Sequence, residues 1–332
     1  MKTIGILTSG GDAPGMNTAV WAAARAAHSK GMKIVGIRHG YQGLMDEDIV
    51  ELDVSNSDAM LNAGGTILKT ARCKAMLTEE GRDKAVSTIK KFGMEGLIVV
   101  GGDGSFKGAN VIANRGVPTI GLPGTIDNDL AYTDYTIGFD TVCNTVVDAI
   151  MKIRDTMKSH NRVGVVQVMG RHCGDIALYA GLASGADYVL VPEMADGYSE
   201  EYDFHNLMQH MDEMWAANKH YGIIIIAEGV YWRRKNTAYQ LRQRMEECSN
   251  YEVRETVLGY MQRGGTPTVF DRRLAVQSAQ RAVDLLCDGI GNRAVGIRRN
   301  DIFDMDIEEA LATPKYFDKA MYDLVNSSVT SR

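Results

Sequence analysis

Short aliphatic runs that stop at glycine or an acidic residue recur along the whole chain. They are "IGILTSGGD" from Ile4, "KIVGIRHG" from Lys33, "GLIVVGGDG" from Gly96, "PTIGLPGTIDND" from Pro118, "VGVVQVMGRHCGD" from Val163, "YVLVPE" from Tyr188 and "GIIIIAEG" from Gly222. Runs this short, rich in β-branched residues and without polar alternation, belong to strands buried on both faces. Helical segments lie between them. "MNTAVWAAARAAHSKG" is alanine-rich and ends at Gly31, a residue suited to a helix C-terminus. "FDTVCNTVVDAIMKIRDTMKSH" carries Val142, Val146, Ile150, Ile153 and Met157 at helical spacing. Strands alternating with helices specify an α/β fold, doubly wound and mostly parallel, with helices on both faces of the sheet. A chain of 332 residues has room for two such domains or one large unit.

In sheets of this kind ligands bind beyond the carboxyl ends of the strands. The polar residues gather there: Gly10, Gly11 and Asp12; Asp103; Thr125, Asp127 and Asp129; Arg171; Glu228. Alone, "GLPGTIDND" would read as a solvated acidic turn, since Asn and Asp suit turns through local hydrogen bonds. Several strands ending in glycines, carboxylates and an arginine read as a site. A net charge of −6 argues against a general nucleic-acid or membrane-surface binder, though not against phosphate ligands at a local arginine cluster. The longest aliphatic run, "IIIIA", is too short to span a bilayer, and "MKTIGILTSGG" lacks the features of a signal peptide. Five cysteines without a CxxC pair suggest reduced thiols, so a cytoplasmic protein is expected. His172 and Cys173 are adjacent, which is not zinc-ligand spacing. The stretch from Ala195 to His220 is polar and helical in pattern, and its Met208, Met211, Met214 and Trp215 read as core packing.

The turn "SGGDAPGMNTA" suits a phosphate, because backbone amides at a helix start attract anions. It is not a Walker A loop: Met16 and Asn17 stand where Lys and Ser/Thr would follow. Nor does it match the dinucleotide GxGxxG pattern, which weakens a dehydrogenase reading. Phosphoryl transfer needs a metal to bridge phosphates, a base for the attacking hydroxyl and cations for transition-state charge. Asp103 in "GGDGS" is a candidate magnesium carboxylate, and one such ligand suffices because magnesium keeps several waters. Asp127 is a candidate base, Arg72 and Arg171 could supply charge, and Arg162, Arg254 and Arg263 could hold a substrate phosphate through forked hydrogen bonds.

"TSGGDAPGMN", "GGDGS", "GLPGTIDND", "TIGFDT", "VMGRHCGD" and "VLGYMQRGG" occur in this order along nearly the whole chain. Together they resemble the bacterial ATP-dependent 6-phosphofructokinases. The resemblance implies a larger nucleotide-binding domain of residues 1–138 plus about 260–305, and a smaller sugar-phosphate domain of 139–259 plus about 306–332. It implies transfer of the γ-phosphoryl group of MgATP to the 1-hydroxyl of fructose 6-phosphate, with Mg2+ as cofactor and a homotetramer sharing its sites between chains. Asp127 would take the hydroxyl proton, Thr125 would position the reacting groups and Asp129 would support the site. Asp103 would contact magnesium, Gly11 and Arg72 would steady the moving phosphoryl group, and Arg171 would stabilise its charge. Met169, Gly170 and Glu228 would line the sugar. Tyr41, Cys73 and the segment Gly102, Asp103, Gly104 and Ser105 would lie along the nucleotide. Arg162 and Arg254 would bind the 6-phosphate from a neighbouring subunit, alongside Arg263.

Gly104 and Gly124 stand where pyrophosphate-dependent relatives typically carry an aspartate and a lysine, and so favour ATP. Tyr260 stands where the family's "LGHxQRGG" pattern has a sugar-phosphate histidine. A phenol donates one hydrogen bond but cannot become cationic, so a weaker grip on the 6-phosphate is expected. At the family's effector site Arg25, Arg154 and Lys219 remain and Asp187 replaces a glutamate, while Trp21, Val54 and Ala217 stand where cations are expected. Weak or altered control by ADP and phosphoenolpyruvate follows. Alternatives are pyrophosphate as donor, another phosphosugar as acceptor, or a non-catalytic sugar-phosphate sensor, which could have dropped Asp103, Asp127 or Arg171.

Overall fold

The computed structural model describes residues 2–52, 55, 57–195, 200–230 and 236–327. Its strands are β1 (Thr3–Thr8), β2 (Lys33–Ile37), β3 (Ile49–Glu51), β4 (Met94–Gly101), β5 (Thr119–Pro123), β6 (Val163–Val168), β7 (Tyr188–Leu190), β8 (Gly222–Ala227), β9 (Val253–Val257), β10 (Arg293–Arg298) and β11 (Asp301–Asp306). The chain divides into two compact units, Met1–Thr141 with Arg263–Lys315 and Val142–Gln262 with Tyr316–Arg332.

The first unit holds a seven-stranded sheet in the order β11-β10-β5-β4-β1-β2-β3. Its central pairs are parallel, and only the outer strands β3 and β11 run against their neighbours. The second unit holds a four-stranded parallel sheet in the order β7-β8-β6-β9. Ile4, Ile6, Leu7, Leu97, Ile98, Val99, Val100, Ile120 and Leu122 are wholly buried in the first sheet, as are Ile223, Ile224, Ile225 and Ile226 in the second. Burial on both faces explains why these runs lack polar alternation. Both sheets carry helices, and the fold is the doubly wound α/β class expected.

Local signals set the helix ends. The helix Met16–Ser29 stops where Gly31 adopts φ 67°. The Gly31 N–H donates to the His28 carbonyl and the Met32 N–H to the Ala27 carbonyl, the paired closure of a Schellman motif. The helix Glu200–Ala216 buries Met211 and Met214, with Met208 and Trp215 half-buried, so the methionine stripe packs inward. Val54 lies outside the described residues. No helix among the described residues is long and apolar enough to cross a membrane.

One long-range contact organises the first unit. Asp271 lies in the first turn of the helix Val269–Cys287 and is fully buried. Its carboxylate accepts from the Gly138 N–H at 2.9 Å, the Thr141 N–H at 2.8 Å and the Thr141 hydroxyl at 2.5 Å. It therefore caps the start of the helix Phe139–His160 from a distant part of the chain. The Thr141 hydroxyl accepts in turn from the Thr268 N–H at 3.0 Å, and Thr268 caps the Asp271 helix. Burial pushes the Asp271 carboxyl up to about 6, against the pull of its three donors toward the ionised form.

Asp271→Ala strands three buried donors and is expected to lower stability by about 2–4 kcal/mol, read as a drop in the denaturant midpoint. The pH dependence has a definite sign. The folded state binds the Asp271 proton more tightly than the unfolded chain, so this group's contribution to stability falls as pH rises from about 4 to about 6. The stability gap between wild type and Asp271→Asn should widen in favour of wild type as pH falls through that window. A gap constant with pH would contradict the assignment.

Candidate active site

In the first unit the site is built where β1, β4 and β5 end. The turn after β1 is shaped by a loop crossing over it. Thr8 Oγ1 bonds Thr66 Oγ1 at 2.7 Å and donates to the Lys69 carbonyl at 3.0 Å, while the Thr70 hydroxyl donates to the Gly10 carbonyl at 2.8 Å. Asn17, fully buried, donates to the Ala63 and Gly64 carbonyls at 3.1 and 3.2 Å and accepts from the Ile67 N–H at 2.7 Å. The position after Met16 therefore clamps the loop that carries Arg72 to exposure, two residues beyond Thr70. Cys73 is half-buried and packs against the core.

Gly102 follows β4, and Asp103 opens the helix Asp103–Ala113, where a carboxylate suits the helix dipole. Asp103 pairs with Lys107 one turn on at 2.7 Å. Ser105 is buried, and its carbonyl accepts from the Tyr41 hydroxyl at 2.6 Å. Tyr41 itself is buried against Gly108, where a Cβ would come within 2.7 Å of the ring. A Cβ at Gly104 would meet open space, whereas one at Gly124 would lie 2.8 Å from Val100 Cγ1.

After β5 the acidic loop is held in shape by Thr125. Its hydroxyl accepts from the Asp127 N–H at 3.2 Å, and its carbonyl accepts from the Thr136 hydroxyl at 2.6 Å. The Ile137 N–H returns to the Pro123 carbonyl at 2.7 Å, closing the loop at its base. Asp129 has one buried carboxylate oxygen, Oδ1, with no hydrogen-bond partner among the described residues. Burial raises its carboxyl, and the negative charges of Asp127 and Asp103 raise it further. Asp129 thus feels the negative charge of both neighbouring carboxylates. Lys315, which the sequence reading overlooked, donates to the Asn128 carbonyl at 3.3 Å and partly offsets that charge. Arg263 also lies in this unit, its Nη1 donating to the Asp12 carbonyl at 3.2 Å.

In the second unit β6 runs into Met169, Gly170 and Arg171. The Met169 N–H donates to Gln262 Oε1 at 3.0 Å, and Gln262 Nε2 donates to the Gly259 carbonyl at 3.0 Å. This wholly buried glutamine fixes the β6 end to the turn before Tyr260, and it too was missed. The Gly174 N–H donates to both carboxylate oxygens of Glu193 at 2.9 and 3.0 Å, fixing the start of the helix Asp175–Ser184. Cys173, Asp175 and Glu193 each offer an atom within 4.8 Å of the others. The paired amide bond accounts for Glu193 as a helix cap. Arg171 is exposed; Glu228 follows β8, its N–H donating to the Val168 carbonyl at 2.9 Å. Tyr260 is 85% exposed, so its phenol is open to a ligand.

Arg162 and Arg254 meet at Glu252. Arg162 Nη2 lies 2.7 Å from Glu252 Oε1, and Arg254 pairs with the same oxygen. The Arg162 hydrogen bond holds the Glu252 carboxyl below its ordinary value, with both guanidinium charges adding to the effect. Among the effector candidates, Lys219 pairs with Asp187, whose other oxygen accepts from the Ile223 N–H at 2.8 Å. Arg154 Nη2 donates to the Gly185 carbonyl at 2.9 Å. In the first unit Arg25 lies over the Trp21 ring, 5.1 Å from its centroid.

Residues 3–286 match the family model described as Phosphofructokinase. The chain is 51% identical over 324 residues to an ATP-dependent 6-phosphofructokinase of Clostridium botulinum (strain Loch Maree, type A3), covering 98% of each chain. It is 52% identical over 324 residues to the enzyme of that name from Clostridioides difficile (strain 630), again covering 98% of each. Among solved structures it is similar to the phosphofructokinase of Pichia pastoris in its T-state, with a TM-score of 0.87 and 35% identity. That match covers 94% of this chain but 37% of the longer yeast one. With strand-end glycines, clustered carboxylates and these relatives in agreement, the chain belongs to the phosphofructokinase family.

Proposed function

We propose that the chain transfers the γ-phosphoryl group of MgATP to the 1-hydroxyl of fructose 6-phosphate, giving fructose 1,6-bisphosphate and ADP in glycolysis. The observation that carries this reading is the loop after β5, where Thr125 shapes the turn presenting Asp127 beside Asp129 and Asp103. Its relatives at 51–52% identity bear the name of this activity. Asp127 accepts the hydroxyl proton as the sugar attacks in line. Gly11 and Arg72 steady the transferring group, Arg171 offsets its charge, and Asp129 supports the site electrostatically. Met169, Gly170, Glu228, Arg162, Arg254, Tyr260 and Arg263 serve the sugar phosphate, and Tyr41, Cys73 and Gly102–Ser105 the nucleotide.

A hard divalent cation fits the first unit's carboxylates. The charge of Asp127 and Asp103 acting on Asp129, with a buried Asp129 oxygen that has no partner among the described residues, is what such an ion would relieve. Asp103 would hold Mg2+ directly and Asp129 through its waters. Bound there, the ion supplies positive charge to the phosphate oxygens.

Gly104 opens on free space, so its lack of a side chain leaves room for a nucleotide. Gly124 has a packing reason of its own in the contact with Val100, so the steric case for ATP over pyrophosphate leans on Gly104. Arg162 and Arg254, gathered on Glu252, suit a phosphate presented by a neighbouring subunit, and the reading includes a cytoplasmic homotetramer.

The direct test is turnover of fructose 6-phosphate with MgATP or pyrophosphate by protein that sediments as a tetramer. ATP-dependent turnover is expected. Asp127→Asn should lower kcat by roughly 10²–10⁴ with KM largely kept, the range for loss of a general base. Binding without turnover in the wild type would favour a sensor.

Tyr260→His is expected to lower the KM for fructose 6-phosphate several-fold below pH 6.5, since a cationic donor gains about 1 kcal/mol over a neutral one. An unchanged KM would remove Tyr260 from the sugar-phosphate site.

Control by phosphoenolpyruvate and ADP is expected to be weak. Lys219 is already neutralised by Asp187, Arg154 is engaged with a carbonyl and Arg25 is stacked on Trp21. Strong phosphoenolpyruvate inhibition reversed by ADP, seen in initial-rate curves, would contradict this.

A further inference from the structure

Arg263 does not extend into solvent. Its guanidinium lies across the bare face of Gly11: a Cβ built there would sit 2.5 Å from Nη1, 3.0 Å from Cζ and 3.3 Å from Nη2. The arginine is half-buried, and its hydrogen bond is to the Asp12 carbonyl, the next residue along. Among the described residues no carboxylate forms an ion pair with it, although Arg162, Arg242, Arg254 and Arg281 each have one. A half-buried fork of five donors with one carbonyl partner has unused capacity for an anion. The Gly11 it covers lies in the glycine turn after β1, whose backbone amides suit an anion.

We infer that Arg263 contacts the γ-phosphoryl group of the donor together with the Gly11 amide, in addition to any role toward the sugar phosphate. Gly11 is then glycine for two reasons: its amide faces the phosphoryl group, and its missing side chain leaves the seat that Arg263 fills. As the bond to the β-phosphate oxygen breaks and the bond to the sugar oxygen forms, the equatorial oxygens of the moving group keep their charge within reach of this fork. The inference rests on the phosphofructokinase reading of the site.

The test uses nucleotide binding without sugar, where a residue serving only the 6-phosphate has no effect. Calorimetric titration would compare MgADP with the β,γ-imido analogue of MgATP. Wild type is expected to prefer the triphosphate. Arg263→Ala should cut that preference by about tenfold or more, the scale of one charge-assisted hydrogen bond. Arg263→Lys, which keeps the charge and volume but loses the fork, should fall between them and guards against misfolding of the alanine variant. An unchanged triphosphate preference in both variants would overturn the inference and leave the family reading intact. Failure of wild type to bind either nucleotide would overturn that reading and the inference with it.

Discussion

The first unit depends on a carboxylate that water never reaches. Burying Asp271 costs several kcal/mol as an ion, and the cost is tolerated because three donors converge on it. In return, two helix starts far apart in the chain become one joint. Thr268 and Asp271 begin one helix, Gly138 and Thr141 begin the other, and each half supplies hydrogen-bond partners the other lacks. The consequence reaches the site through a short path. Ile137 is tied to Pro123 and Thr136 to Thr125, so anchoring Gly138 anchors the far end of the acidic loop. A loop fixed at both ends presents Asp127 with little freedom to lose on binding, the preorganisation that its proposed role as base would need.

That same loop concentrates negative charge. Asp129 and Asp127 repel, and Asp103 adds to the effect. Burial and the two neighbouring charges act together on Asp129, so its carboxyl is held toward the neutral form. Lys315 moderates the repulsion without cancelling it, since the Asp129 carboxyl stays raised with the lysine in place. The arrangement suits a positively charged occupant, in keeping with the divalent cation proposed for it.

The sheets could be read from sequence because burial on both faces leaves a continuous aliphatic run, a signal confined to a few neighbouring residues. The site's position followed from the same logic, since strand ends announce themselves where the run stops. Asn17, Thr70, Asp271, Gln262 and Lys315 could not be read. Each acts on residues far along the chain: Asn17 on 63–67, Asp271 on 138–141, Gln262 on 169. Nothing in the local pattern of a buried asparagine or aspartate tells which segment it will clamp. Gly124 shows the opposite limit. The family resemblance made it a mark of ATP as donor, while its environment shows a close approach to Val100 that any side chain would disturb.

The arginines divide by what they must give up. Arg162 and Arg254 already share Glu252, so a phosphate that engages them has to displace a carboxylate whose charge both guanidinium groups stabilise. The net gain is the difference between a doubly charged phosphate with three acceptor oxygens and a single carboxylate, less than the gross strength of the new bonds. Exchange of this kind favours specificity over affinity: a singly charged anion gains little by replacing Glu252, and a dianion gains more. Arg263 has no carboxylate to surrender and a single carbonyl as partner. An anion beside Gly11 therefore keeps more of the bond energy it forms. On the proposed reading, the ion pair at Glu252 would tune which anions are accepted, and Arg263, with no carboxylate partner among the described residues, would lend more of its charge to the group that is accepted.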